Sequence, residues 1–436
     1  MPRIELPDDI QKLNVLRVNI KVLQFLGFFR TSCIDIPHWK QIVQRCLKYS
    51  IGITAFIFCF GALVEGYRCR YYPLEVIEAI TAFLTCLKAL IKYLSFTVHE
   101  KEFKEIVEHC DDNFIIEGND LSERQKKIIS KDMATTKKAT YLFWFMAIVT
   151  LVTATFNIFP LSEQEIENSD RDFLPAWGSL NRYAIPLQSA RSPYFFIRVL
   201  YCTFVDILAC VPFIILNTMS ALVITYLTIQ FAVLSDSLKN IEENVEAVLE
   251  RGGSQFVTQG QCRLEDDWHE NRVVVPQNEA FHLEIERYLR CCIKHHQKLL
   301  QFFEVLNNVM RTTLFVDILV ASVLISMLSF SFLISSDFSN VIQNIGILYF
   351  ITIELWFFCW LGTRLSTQSE MIGEAIWSCA WYKQRIKFQQ RSTFILMRAQ
   401  RPVGIYIHIF GTVSLELFSK IMNAAYSYFT IIKQMI

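Results

Sequence analysis

Cys291-Cys292 and His295-His296 place two thiols and two imidazoles three and four residues apart, which on a helix is one face and the spacing at which metal ligands are presented. One turn supplying every ligand rarely closes a site, so the pattern alone predicts no metal, and cysteines near a membrane are equally open to acylation. The other residues able to do chemistry are charges in apolar runs: Lys88, Lys92, Asp206, Glu354, Glu416 and Lys420. A charge at the centre of a bilayer costs about 2.5–3.5 kcal/mol on insertion scales, so such groups face a partner or water. Glu416 and Lys420 are four apart and predict a pair along one helix. Lys88 and Lys92 are expected to snorkel to the inner leaflet, and Asp206 and Glu354 to face a polar seam or a ligand. No Gly-x-x-x-x-Gly-Lys, His-Glu-x-x-His or Gly-x-Ser-x-Gly occurs, so no enzyme activity, cofactor or metal is expected.

The elements that hold these groups are apolar helices. The 436 residues are 53% hydrophobic, with 36 Phe and 14 Gly, which predicts a polytopic membrane protein and not a soluble enzyme. Runs long enough to cross a core of about 30 Å lie at approximately 49–64, 74–94, 139–159, 194–216, 314–334, 341–361 and 403–432. The fold class expected is therefore all-α with seven transmembrane helices in a single domain, 1–436. Of the 42 Lys and Arg, 32 fall in segments 1–50, 96–138, 239–311 and 364–401, all on one side of a seven-span chain. The positive-inside rule then predicts a cytosolic N-terminus and an extracellular C-terminus. No Asp-Arg-Tyr follows the third run, and this orientation is the reverse of that of G-protein-coupled receptors.

Long helix extensions on the cytosolic side are predicted over 217–311 and 366–401, with the fourth helix running from Tyr194 to Val248. The stretch from Val15 to Phe29 is amphipathic and either lies on the inner leaflet or docks on the bundle. A break is expected near Gly118-Asn119-Asp120, an acidic outer loop over 160–195 and a mobile loop over 251–278. No repeat of 20–50 residues marks two halves.

Three groups of residues are candidates for function. In the outer halves of spans two, three, four and six, Ile77, Phe83, Leu84, Phe145, Ile148, Val149, Val152, Tyr201, Phe204, Val205, Tyr349, Phe350 and Ile353 read either as helix packing or as the wall of an apolar small-molecule pocket. In the sixth helix extension, Trp377, Trp381 and Phe388, beside Arg385, Lys387 and Arg391, are anchors of the kind that dominate interfaces. In the last helix, Ser427, Ile431 and Gln434 or Met435 recur at steps of three and four, one stripe that either packs or lines an axis.

The ordered set Ser369-Glu370, Ala375, Trp381, Arg398-Ala399-Gln400-Arg401-Pro402, Ser414-Leu415-Glu416 and Ser427-Tyr428-Phe429-Thr430 resembles the insect odorant receptor family, as does the stretch Gln230 to Leu238. The related gustatory receptors end in Thr-Tyr, five residues, Gln-Phe, met here only in part by Ser427-Tyr428 and Gln434-Met435. The resemblance implies a tetrameric, odorant-gated, non-selective cation channel in the dendritic membrane of olfactory neurons. It also implies a shared co-receptor subunit, a pocket for a small hydrophobic odorant between spans two, three, four and six, and a pore lined by the last helix. Membrane lipid is a further expected partner and nucleic acid is not. A gustatory-type channel and a metabotropic seven-helix receptor are the alternative readings.

Overall fold

The computed structural model describes residues 15–28, 38–68, 70–71, 73–111, 122–156, 194–252, 277–334, 338–407 and 410–435. Helices α1 (Val15–Phe25), α2 (His38–Arg68), α3 (Pro73–Val98), α4 (Glu100–Asp111) and α5 (Glu123–Phe156) come first. The long α6 (Tyr194–Lys239), short α7 (Ile241–Gly252), α8 (Gln277–Ile334) and α9 (Phe338–Ser378) follow. A 3-10 turn (Trp381–Lys383), α10 (Ile386–Ala399), the hairpin β1 (Tyr406–Ile407) with β2 (Gly411–Thr412), and α11 (Leu415–Met435) complete the order. The expected break at 118–120, most of the loop 160–195 and nearly all of 251–278 lie outside the described residues.

Among the described residues, five helices are long and apolar enough to cross a membrane: His38–Val64, Val76–Val98, Cys210–Lys239, Glu279–Ser331 and Asn344–Ser378. The expected third and seventh spans fall on α5 and α11. The centre of the bundle is α6, whose residues from Ile215 to Leu238 are buried almost without interruption. A helix apolar on every side belongs in the middle of a bundle, with its neighbours wrapped round it. The helix expected to run to Val248 stops at Lys239, and α7 restarts after Asn240, whose side-chain amide donates to the Asp236 carboxylate at 2.9 Å.

The amphipathic α1 docks on the bundle. Leu23, Leu26 and Phe28 are buried, Gln44 donates to the Gln24 carbonyl at 2.8 Å, and Phe28 meets Tyr93 edge-on at 5.7 Å.

Two expectations about the C-terminal third are corrected. The sixth helix does not run on to Phe388 and beyond: α9 ends at Ser378, and the chain turns back into α10. The Gln384 side chain pins this corner, donating to Glu242 at 3.0 Å and lying 3.2 Å from His282. Nor is 403–432 one helix. Val403, Ile405 and Ile407 are buried while Gly404 and Tyr406 are not, a period of two that suits a strand, and Gly411 takes a positive φ of 79° that favours glycine. The last helix begins only after Ser414, whose hydroxyl accepts from the Leu417 amide at 3.3 Å as an N-cap.

Candidate functional site

Four helices carry a closed ring of polar side chains into the buried centre of the bundle. Lys88 on α3 donates to Glu354 on α9 at 2.5 Å and lies 3.7 Å from Asp317 on α8. Lys92, one turn further along α3, donates to Asp317 at 2.6 Å and to Asn217 on α6. Asn217 in turn donates to the second Glu354 oxygen at 3.0 Å. All five residues are buried, and both ammonium groups lie 5.2 Å from the centroid of the Phe213 ring. Two cations and two carboxylates cancel, and each charge has a hydrogen-bonded partner, which is the condition for keeping ions out of water. The expectation that Lys88 and Lys92 snorkel is therefore corrected. Their stems end on carboxylates from other helices, which solvate an ammonium better than a distant interface does. Glu354 does face a polar seam, and the side chain of Asp206 lies outside the described residues. Asp317 and Asn217 were missed, although both are polar residues in apolar helices and thus carried the same signal as Glu354.

The thirteen candidate pocket residues divide by burial. Ile77 is buried, and Phe83, Leu84, Phe350 and Ile353 are partly so. On α5, Phe145, Ile148, Val149 and Val152 face outward, as does Tyr349 on α9. The inward face of α5 is instead Phe143 and Ala147, with Phe143 lying 5.4 Å from Phe350, ring to ring. Tyr201, Phe204 and Val205 sit on α6, their side chains outside the described residues. Because α5 is apolar all round near residue 145, the sequence pattern did not mark which face turns in.

The last helix buries one seam, Leu417, Ile421 and Ala425, and leaves the opposite face open. Glu416, Lys420, Asn423, Ser427, Ile431 and Gln434 are exposed at steps of three and four, so a mostly polar stripe runs the length of the helix. The predicted pair is present, Lys420 to Glu416 at 2.7 Å. The side chain of Met435 lies outside the described residues. At its start α11 is bolted to α9: the Thr363 hydroxyl accepts from the Leu415 amide at 2.9 Å, and a Cβ on Gly362 would stand 2.3 Å from the Val413 carbonyl oxygen.

Of the three expected interface anchors, Trp377 is exposed and lies 5.9 Å, ring to ring and tilted, from the half-buried Trp381. Phe388 is buried within its own chain, at 1% exposure. Arg385 and Arg391 likewise approach Glu279 and Glu286 of the same chain, at 3.8 and 3.6 Å. Tyr382, Ile386, Phe394 and Met397 are exposed as well, and the Tyr382 ring lies edge-on to Trp381 at 6.2 Å.

Cys292, His295 and His296 are all buried, with His296 edge-on to Phe231 at 6.3 Å. Among the described residues no three His, Cys, Asp or Glu come together in a way that could hold a metal. At the end of α9, Cys379 is buried, which pushes its thiol up to about 11, far from the range of a nucleophilic cysteine.

A family model described as 7tm Odorant receptor matches residues 72–426. The chain belongs to the insect odorant receptor family. The receptor is 29% identical over 146 residues to odorant receptor Or2 of Anopheles gambiae, an alignment covering 34% of this chain and 39% of that one. The match to odorant receptor 67c of Drosophila melanogaster is weaker, 21% over 441 residues, but spans 97% of this chain and 98% of that protein. Its fold is similar to that of olfactory receptor OR5 from Machilis hrabei, solved in complex with eugenol, with a TM-score of 0.74 at 15% identity over 98% of this chain and 100% of that one. The chain is thus a multi-pass membrane protein of this family, and the relatives it matches are odorant receptors.

Proposed function

We propose that the receptor is a subunit of an odorant-gated, non-selective cation channel, acting as a tetramer with a co-receptor subunit in the dendritic membrane of olfactory neurons. The observation that carries this reading is the open face of α11. Polar groups on an apolar helix of a membrane protein face water or another protein, and the stripe from Glu416 to Gln434 is exposed among the described residues. A two-sided helix, apolar toward its bundle and polar away from it, is what several copies need to enclose an aqueous axis. In that arrangement Ile431 is the hydrophobic constriction, Ser427 lies one turn before it along the helix, and Gln434 and Met435 follow it toward the chain end.

In this reading α5 and α11 are spans beside the five more apolar helices, with the N-terminus in the cytosol and the C-terminus outside, an orientation supported by the positive-inside bias. The exposed apolar patch of Trp377, Tyr382, Ile386, Phe394 and Met397 then lies in the cytosol and joins subunits, while Phe388 holds α10 to its own chain. The odorant is a small hydrophobic molecule bound between α3, α5, α6 and α9, against Ile77, Phe83, Leu84, Phe350 and Ile353, with Tyr201, Phe204 and Val205 on the α6 wall. Phe145, Ile148, Val149, Val152 and Tyr349 stand on the outer faces of α5 and α9, where they shape the pocket only indirectly.

Whole-cell recording from cells expressing the receptor with and without an insect odorant receptor co-receptor, across a panel of volatile odorants, tests the reading. Odorant-evoked cation currents are expected only with both subunits. Odorant responses that vanish on blocking G-proteins, with no conductance of the receptor's own, would favour the metabotropic alternative.

A further inference from the structure

The first half of α8 and the antiparallel-packed α10 carry cations toward a common groove. On α8, Arg287, Arg290 and Lys294 recur at steps of three and four, and on α10 Arg391 and Arg398 are seven apart, so each set lies along one helix face. All five line a cavity of about 580 Å³, a size that suits a small molecule. Acids are few around it: α10 has none, and α8 offers Glu284, which pairs with Arg287 at 2.7 Å, and Glu286, which lies 3.6 Å from Arg391. Among the described residues Arg290, Lys294 and Arg398 meet no carboxylate at ion-pair distance. The Arg391 Nη1 nitrogen is buried and donates to no acceptor, which costs stability unless something fills that role. Like charges on facing walls repel, and an anion between them turns the repulsion into attraction.

The rest of the wall is apolar, with Ile293 and Leu300 on α8 and Phe394 and Ile395 on α10. Phe394 is exposed and stands three residues after Arg391 and four before Arg398, an aromatic face between two guanidinium groups on one side of the helix. A bare anion uses only the cations. A planar ring joined to a phosphate chain uses both kinds of wall, phosphates on the arginines and ring on the phenyl face.

Position along α8 decides the source of the phosphate. The helix has 58 residues, and a bilayer needs about 20. Lys294 lies 20 residues before Leu314, where the apolar run begins, and thus about 30 Å along the helix from it. A lipid phosphate in the headgroup layer falls short of the groove, whereas a dissolved one reaches it.

We propose that the groove between α8 and α10 binds a soluble nucleoside polyphosphate, its phosphate chain held by Arg290, Lys294, Arg391 and Arg398 and its ring laid on Phe394. This rests on the reading above only in placing this end of α8 in the cytosol, and it needs no pore. Bound there, the ligand neutralises cations on two helices and clamps α10, whose exposed side belongs to the face assigned to subunit contact, onto α8.

The test is binding of trinitrophenyl-ATP to the purified full-length receptor in phosphatidylcholine nanodiscs, with ATP, tripolyphosphate and dioctanoyl phosphatidylinositol 4,5-bisphosphate as competitors. ATP is expected to compete best, and tripolyphosphate about tenfold more weakly for want of a ring. Arg391→Gln with Arg398→Gln should weaken both by about tenfold or more, and Phe394→Ala should weaken ATP alone. If the arginine variant fails to fold, Arg290→Gln with Lys294→Gln, at two exposed positions, carries the same expectation. No competition by millimolar ATP, or binding that both charge variants leave intact, overturns the site. Equal competition by ATP and tripolyphosphate overturns the ring-bearing ligand, and stronger competition by the lipid overturns the soluble source. In cells, photolabelling of the receptor by azido-ATP is expected only after permeabilisation. Labelling of intact cells overturns the cytosolic placement while the site stands, so failure of the reading above is distinguishable from failure of the site.

Discussion

Two ion pairs of nearly equal length stand at opposite ends of the scale of burial. Lys92 and Asp317 meet at 2.6 Å with side chains 3% and 8% exposed; Lys420 and Glu416 meet at 2.7 Å with side chains 71% and 76% exposed. The difference teaches that distance is not energy. In the buried pair each ion has given up its hydration and depends on its partner, so the pair fixes α3 against α8, and with Lys88, Asn217 and Glu354 the ring ties four helices. In the exposed pair each ion has an alternative, and holding two long side chains together costs entropy that offsets the attraction. The receptor thus keeps its rigid charges in the bundle and its adaptable ones on the face turned away from it.

The largest effect is expected from breaking the buried pair on one side only. Asp317→Ala leaves two lysines facing one carboxylate in the core, a penalty of about 3–5 kcal/mol, a large part of the stability of most domains. Surface biotinylation should find little receptor. The matching pair of changes, Lys92→Met with Asp317→Leu, removes both charges and should recover much of the surface amount, since buried pairs are often replaceable by apolar residues of similar volume. Failure of the paired variant to improve on Asp317→Ala would show that the loss comes from shape and not from charge.

Burial also separates two aromatic residues that read alike in sequence. Phe388 is buried and Trp377 exposed, so Phe388→Ala should cost about 3–5 kcal/mol through the cavity it leaves, whereas Trp377→Ala should leave the melting temperature of a detergent-solubilised subunit nearly unchanged. If Trp377 joins subunits, its loss shows instead as a smaller particle in gel filtration. Equal melting temperatures for the two variants would contradict the burial contrast.

What the sequence made legible follows from the same physics. Apolar length identified the helices of the bundle, and the family resemblance rested on residues such as Trp381, Arg398 and Ser414 that the structure places at the corner, the end of α10 and the cap of the last helix. Facing was not legible where a helix is apolar on all sides, as at Phe145 against Phe143. Charges in spans were visible, but their pairing was not, because Lys88 and Glu354 are 266 residues apart and only the packing of α8 against both α3 and α9 brings them together. The hairpin could have been read: Val403, Ile405 and Ile407 alternate with Gly404 and Tyr406, a strand pattern that the apolar length of the segment obscured.

Between the extremes lies the joint of α9 with the last helix. A Cβ at position 362 would meet the Val413 carbonyl oxygen at 2.3 Å, so Gly362→Ala must push the hairpin away, at about 1–3 kcal/mol for overpacking. Thr363→Val is milder: it keeps the shape and removes the hydroxyl that accepts from the Leu415 amide, about 1 kcal/mol for a lost helix cap. Both should alter channel opening more than abundance if this joint seats the last helix. Abundance falling further for Thr363→Val than for Gly362→Ala would reverse the ranking by contact distance.

The smallest effect on the fold should come from the exposed pair. Glu416→Gln removes a carboxylate that has water and Lys420 for company, so neither the melting temperature nor the surface amount should move, in contrast to Asp317→Ala. Its consequence lies in the stripe it belongs to. If four copies of α11 enclose an aqueous axis, Glu416 contributes four carboxylates near one end, and a ring of acids attracts cations; the neutral variant then leaves Lys420 uncompensated, and single-channel conductance for monovalent cations should fall. The decrease should shrink as ionic strength rises, because exposed charges are screened within about 8–10 Å in physiological salt. A collapse in surface amount for Glu416→Gln would mean that the open face is packed against something after all, and unchanged conductance at low salt would move the ion path off this stripe.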